Sequence, residues 1–333
     1  MLVNDDLKIR TYECPGCVVC GSHGNELYAD LIDQLFGTPG VWKMSRCSNL
    51  DCGLLWLDPM PLADDIGLAY KSYYTHQAIA KASSDGLIHL VIKKLRRAFA
   101  VVTGFHSAKQ ARDYRYLEHK PAGKLLDVGC GAGAYLGFMR DQGWNVVGID
   151  FDEEAVKNAR EQFGVNAHSL QLEEMNFPDA HFDAITMNHL IEHVPDPIKL
   201  LRECQRVLKP NGSIVVTTPN SDSLGHQMYS KHWRGLEPPR HLHIFSPASL
   251  HLLARNAGFS NIDVFTTGVN AGYLFKESMR IKRGVNSNKQ GSAYSAPAHD
   301  RIEAALLQSY EVWKSKSRPT IGEEAVLICR CGE

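Results

Sequence analysis

Charge of either sign in excess, long apolar runs and a leader-like start are what this chain has least of. Lys and Arg total 36 and Asp and Glu 37, for a net charge of -1 over 333 residues. That balance excludes a protein whose whole surface is built to hold a polyanion and leaves only a local basic patch to serve that purpose. No apolar run approaches the roughly 18 residues that span a bilayer. The segment from Met1 to Tyr12 carries Asn4, Asp5, Asp6, Lys8 and Arg10 and no apolar h-region, so no secretory signal is expected and a soluble cytoplasmic protein is the default. No internal repeat is visible. The apolar fraction of 44% and charged fraction of 22% are ordinary for globular chains and exclude global disorder.

Cysteine is plentiful at one end only. Of nine, five precede residue 53 (Cys14, Cys17, Cys20, Cys47 and Cys52), and the others are scattered at 130, 204, 329 and 331. An odd count without a secretory leader does not read as a disulfide framework; clustered pairs in a reducing compartment read as a metal site. Cys17-Val-Val-Cys20-Gly21 and Cys47-Ser-Asn-Leu-Asp-Cys52-Gly53 are the best pairs, since a glycine after the second thiol accepts the positive φ that aims backbone N–H groups at sulfur. Four thiolates make a closed tetrahedral zinc shell, with no open position for chemistry. Cys14 is an alternative ligand, because Cys14-x2-Cys17 has the same spacing.

Residues 1–58 therefore read as a zinc-ribbon-like element and 59–120 as a mostly helical connector or cap. Within the cap, Leu87 to Phe99 is apolar and basic. It is expected to pack as an amphipathic helix, although 87–102 could also lie on an anionic membrane surface. From residue 121 the pattern alternates strand and helix, with strands expected at Leu125–Val128, Val146–Asp150, Val165–His168, Phe182–Met187, Ile214–Thr218 and Ile262–Phe265. Ser246-Pro247 opens a helix by side-chain capping. A helical insertion near 270–320 precedes Glu324–Cys331, read as a last, antiparallel edge strand. Such alternation means an α/β fold with a mostly parallel sheet covered on both faces.

The sharpest motif is Leu125-Leu126-Asp127-Val128-Gly129-Cys130-Gly131-Ala132-Gly133, between a strand and a helix. Its glycines allow a tight turn and close approach of a ligand to the main chain. Asp150, at the end of the second strand, can accept hydrogen bonds from both ribose hydroxyls of an adenosine. A dinucleotide fingerprint is met only loosely, by Gly129, Gly131 and Ala134. The spacing Asp127-x-Gly129-x-Gly131-x-Gly133 instead resembles motif I of class I S-adenosylmethionine (SAM)-dependent methyltransferases. Phe177–Ile185, Asn188–Val194, Arg206–Gly212 and Thr218-Pro219-Asn220 resemble the family's later segments in order, over about 124–267.

That resemblance implies a Rossmann-like sheet, SAM as cofactor, and roles for single residues. Gly129, Cys130 and Gly131 would face the methionine part of SAM, with Asp127 near its amino-acid portion. Gly133 closes the motif, Asp150 would hold the ribose, and Phe151 would lie beside the adenine. Leu172 and Glu173 would border the adenine edge, and Asn188 and His189 would sit near the methyl-donor end.

Transfer from a sulfonium is an in-line displacement that needs alignment and often a base, for which histidine is suited near neutral pH. Trp233–Pro247 lies after the fifth strand, where open α/β sheets bind ligands. It supplies His241 and His243 as candidate bases, besides His226 and His232, while Arg234 and Arg240 could recognise a phosphate or sugar acid. His193, following Glu192, reads as structural, and Tyr70, Tyr73 and Tyr74 as either pocket caps or a core stripe.

The run resembles bacterial methyltransferases of cell-surface glycans and sugar nucleotides, several of which carry an N-terminal zinc element. Some of them methylate sugar carbons, but here the spacing from His241-x-His243 to Phe245-Ser246 is shorter and their long C-terminal extension is missing. O-methylation of a sugar or glycan intermediate is therefore expected. The alternatives are carbon methylation, an RNA methyltransferase docking through its ribbon, a non-catalytic SAM-binding scaffold and, on the loose glycine match, an NAD-dependent oxidoreductase. Residues 14–58 have only Lys43 and Arg46 as bases, too few to neutralise many phosphates.

Overall fold

A computed structural model describes residues 9–70, 105–285 and 296–332. The segment 87–102 and Tyr73 and Tyr74 lie outside the described residues. Within 59–120, the described parts are a short helix at Ala63–Ile66, a 3-10 turn at Gly67–Tyr70 and a helix at Phe105–Asp113.

The strands, in chain order, are β1 (Thr11–Tyr12), β2 (Gly24–Leu31), β3 (Trp42–Cys47), β4 (Leu55–Leu57), β5 (Met60–Pro61), β6 (Lys124–Val128), β7 (Asn145–Ile149), β8 (Asn166–His168), β9 (Phe182–Asn188), β10 (Leu208–Pro219), β11 (His243–Ile244), β12 (Asn261–Thr267) and β13 (Glu324–Arg330). A seven-stranded sheet runs β12-β13-β10-β9-β6-β7-β8. From β10 to β8 every pairing is parallel, and β13 is antiparallel to both of its neighbours. The antiparallel pairing sits at the expected end of the sheet, but β12 is the outermost strand and β13 is inserted between it and β10. Continuous apolar burial along β13 explains this: Ala325, Val326 and Leu327 are all fully buried, as a strand flanked on both sides requires.

Helices begin where the sequence supplies caps. The Asp152 carboxylate accepts from the N–H groups of Glu154 and Ala155 to open Glu153–Phe163, and Asp196 accepts from Lys199 to open Pro197–Val207. Ser246 and Ser249 form a reciprocal capping box for Pro247–Asn256. Helices at Ala271–Lys282 and Ala298–Lys314 occupy the stretch between β12 and β13. Among the described residues, no helix is long and apolar enough to cross a membrane.

The N-terminal strands form a second, antiparallel sheet in the order β11-β4-β3-β2. Its last strand comes from the far side of the sequence: His243 and Ile244 pair with Trp56 and Leu55. One apolar core joins the two parts, with Met44, Leu55 and Trp56 packed in the same cluster as Leu126, Ile185 and Phe245.

Candidate functional site

A cavity of about 430 Å³ opens at the carboxyl ends of β6 and β7. That size lies within the range of small-molecule sites. Of the residues expected at the cofactor, Gly129, Asp150, Phe151, Leu172 and Glu173 line it.

Gly129 turns with φ +77°, and a Cβ there would meet the Leu190 side chain at 3.0 Å. Gly133, at φ +80°, packs so closely that a Cβ would lie 2.6 Å from that of Ala159. It serves the contact between two helices and does not line the cavity. Gly131 acts through its N–H, which donates to Asp150 Oδ2 at 2.8 Å, while Asp152 N–H donates to Oδ1 at 3.0 Å. The carboxylate is thus fixed by two backbone donors and retains lone pairs toward the cavity residues. Burial pushes its pKa up, against those hydrogen bonds. Cys130 is buried beneath the loop, where desolvation drives its thiol pKa up and keeps it a neutral packing group.

Asp127 is fully buried below the cavity. It accepts from Thr186 Oγ1 at 2.7 Å and pairs with Arg115, whose guanidinium lies 3.7 Å from the Tyr135 ring centre. Desolvation dominates over Arg115 and lifts the acid to about 6. Asn188 ends β9 in register with Thr217. The His189 ring is held between two buried carboxylates, with Nδ1 3.3 Å from Glu192 Oε1 and Nε2 2.9 Å from Glu324 Oε1. Burial lowers its pKa, but the two acids outweigh that and raise it to about 10. It is an imidazolium with both nitrogens engaged, and neither it nor Asn188 lines the cavity.

His241 and His243 require a correction. Both are buried and neither lines the cavity. His241 Nδ1–H donates to the Gly235 carbonyl at 2.7 Å, and His243 sits in β11, the edge strand of the N-terminal sheet. Desolvation lowers each to about 4, so both are neutral and shielded from an acceptor. The loop after β10 stays at the carboxyl ends of the strands, where Phe245 bridges Asn220 and the Leu242 N–H donates to the Glu192 carbonyl, but His243 and Ile244 pair with β4 and turn their side chains into the core.

The histidine that reaches the cavity is His193. Its Nδ1 lies 2.9 Å from the Arg240 carbonyl oxygen. A carbonyl only accepts, so Nδ1 carries the proton and Nε2 holds the lone pair. The Tyr70 hydroxyl shares Nδ1 at 2.9 Å, and the Tyr70 ring meets Phe151 edge-on at 5.1 Å. The signal in the sequence was only its place in Asn188–Val194. Its orienting partner lies 47 positions away.

The sulfurs of Cys17, Cys20, Cys47 and Cys52 lie within 4.8 Å of one another. Cys17 and Cys52 are 3.7 Å apart and Cys20 and Cys47 3.4 Å. A tetrahedron with bonds of about 2.3 Å has edges of about 3.8 Å, so this soft-donor set fits a zinc ion. Cys14 stands outside the group. Its N–H donates to Asp58 and its carbonyl accepts from Trp56 Nε1, which hold it at the strand exit.

Comparison with known proteins agrees with the cavity. A methyltransferase domain family matches residues 96–264. A Mycolicibacterium smegmatis protein described as "Probable S-adenosylmethionine-dependent methyltransferase" is 29% identical over 193 residues, 57% of this chain and 73% of the relative. The ubiquinone biosynthesis O-methyltransferase of Thiobacillus denitrificans is 34% identical over 168 residues, 46% of this chain and 70% of the relative. Among solved structures, a SAM-dependent methyltransferase from Archaeoglobus fulgidus superposes with a TM-score of 0.45 at 20% identity, covering 74% of this chain and all of that one.

Proposed function

From the premise that this chain belongs to the methyltransferase domain family and is a SAM-dependent methyltransferase, we propose that it methylates a hydroxyl of a small molecule. The observation that carries this reading is His193, a cavity-lining imidazole whose Nδ1–H is committed to a carbonyl. Among the described residues its Nε2 has no hydrogen-bond partner and can take a proton. Bound SAM supplies an electrophilic methyl group on a sulfonium. With SAM held there, the acceptor oxygen would take that methyl group, and the S–C electron pair would remain with the departing thioether. The hydroxyl proton passes to His193 Nε2. Asp150 holds the ribose, Phe151 and Leu172 flank the adenine, and Tyr70 covers the site.

The finer acceptor class we propose is a sugar or glycan hydroxyl, on the resemblance of the Trp233–Pro247 run alone, since none of its residues lines the cavity. A phenolic hydroxyl is the second reading, favoured by the Thiobacillus relative's name. Docking to RNA has less support. Lys43 lies 3.2 Å from Glu26 and Arg46 3.8 Å from Asp222, so both ribbon bases already face carboxylates. Residues 1–58 are proposed to bind one structural zinc through Cys17, Cys20, Cys47 and Cys52, with 59–120 as cap and 121–333 as catalytic part.

The test is calorimetry with SAM, then turnover on a panel of sugar nucleotides and catechols with wild type and His193→Gln. Micromolar SAM binding, transfer to a hydroxyl and at least a hundredfold loss of kcat in the variant are expected, given the usual weight of a general base. Absence of SAM binding by folded protein, or full kcat in the variant, defeats the proposal.

A further inference from the structure

We infer that Arg240 is a positioning residue for methyl transfer: its buried guanidinium clamps the ribbon and the pocket cap together so that its own carbonyl fixes the tautomer of His193. The inference rests on the reading of His193 as the base.

Arg240 is completely buried, which is unusual for a side chain that keeps its charge. It is held on three sides by groups from separate parts of the chain. Nε donates to Glu237 Oε1 at 2.8 Å, within its own loop. Nη1 donates to Asp33 Oδ2 at 2.8 Å and Thr38 Oγ1 at 3.0 Å, both in the loop that joins β2 to β3. The same nitrogen donates to the carbonyl of Ala69 at 3.1 Å, next to the cavity-lining Tyr70. The Phe36 ring lies 4.3 Å below the guanidinium carbon. Asp33 is rigid in turn, accepting from the N–H groups of Leu35, Phe36 and Thr38.

Two buried carboxylates around one guanidinium are costly to desolvate and bring no assured stability over an apolar cluster. What this arrangement does supply is a fixed backbone at residue 240. That residue's carbonyl, 2.9 Å from His193 Nδ1, decides which ring nitrogen keeps the proton. The clamp also ties this carbonyl to Tyr70, the second group at the same nitrogen. A planar fork satisfies acceptors in three directions at once, and a lysine ammonium at the same place cannot.

Arg240→Lys, Asp33→Asn and His193→Gln, each in the full-length protein, test this. The readouts are kcat, SAM affinity by calorimetry, and the tautomer of His193 from long-range proton–nitrogen correlation spectra, assigned with His193→Gln. Arg240→Lys should lower kcat at least tenfold, leave SAM affinity within about threefold, and convert a single Nδ1–H form into a mixture. Asp33→Asn keeps an acceptor for the hairpin amides and should move the same three quantities in the same pattern, to a smaller extent. It carries the test if the lysine variant does not fold. A single Nδ1–H form with wild-type kcat in both variants overturns the clamp. Inactive His193→Gln beside fully active Arg240→Lys also defeats the clamp while leaving the base in place, whereas active His193→Gln defeats the base assignment itself.

Discussion

Asp150 and His193 show how differently two single residues are specified. Asp150 follows the strand paired beside the glycine loop's own strand, and its two backbone donors, Asp152 and Gly131, lie 2 and 19 residues away. Its role is testable directly. Asp150→Ala removes the carboxylate proposed to bind both ribose hydroxyls and should weaken SAM binding at least tenfold, because charge-assisted hydrogen bonds are lost. Calorimetry giving unchanged affinity would remove Asp150 from the cofactor site. His193 depends on a carbonyl 47 residues later and a tyrosine 123 residues earlier. Histidine's chemistry is visible in the sequence, but which of several histidines meets the cavity is not. His241 and His243 have the right type and the right loop, and tertiary packing puts both in the core.

At the scale of elements, the glycine loop and the cysteine knuckles are the parts whose geometry follows from spacing. Gly129 and Gly133 occupy left-handed backbone with no room for a side chain, so Gly133→Val should destabilise the protein by about 2 kcal/mol or more through strain and helix separation, read as a lower urea midpoint. The Cys47–Cys52 turn is tied to the α/β part: Ser246 Oγ donates to the Cys52 carbonyl at 2.6 Å, and Ser221 Oγ to that of Gly53 at 3.3 Å. Ser246 is also the cap of Pro247–Asn256, directly after β11. Cys52→Ser, or a strong chelator, should therefore release one zinc per chain and lower the melting temperature by about 10 °C or more, by metal analysis and calorimetry. A wild-type protein containing no zinc would refute the ligand assignment.

For the whole molecule, buried charge makes stability depend on pH. His189, between Glu192 and Glu324, is raised to about 10, and Glu311, buried near Glu323 and Glu324, is raised to about 9. A histidine raised in the folded state gives stability that is full below about 6.5 and is lost as pH rises toward 10. A carboxyl raised in the folded state likewise gives stability present at low pH and lost as pH rises through its folded value. Both act in one direction, so the urea midpoint should be lower at pH 9 than at pH 6.5. His189→Gln should flatten the difference while lowering stability at pH 6.5, since it takes the imidazolium from Glu192 and leaves Glu324 with Arg112 alone. An equal midpoint at both pH values would show that these groups are not charged as described.

The sequence by itself determined what depends on neighbours along the chain. The Asp127–Gly133 turn, Asp150 after the second strand, the helix cap at Ser246, the alternation of strand and helix, and two cysteine turns able to share a metal were all legible, because short-range spacing and backbone angles within a single βαβ unit or turn fix them. The preference for Cys17/Cys20 over a pair using Cys14 also had a local cause, the glycine after Cys20. Only the tertiary structure decided the insertion of β13 inside β12, the completion of the N-terminal sheet by His243 and Ile244, and the placing of His193 rather than the two later histidines at the cavity. Each of these is a pairing between segments tens to hundreds of residues apart, where burial and satisfaction of polar groups, rather than local propensity, select the partner.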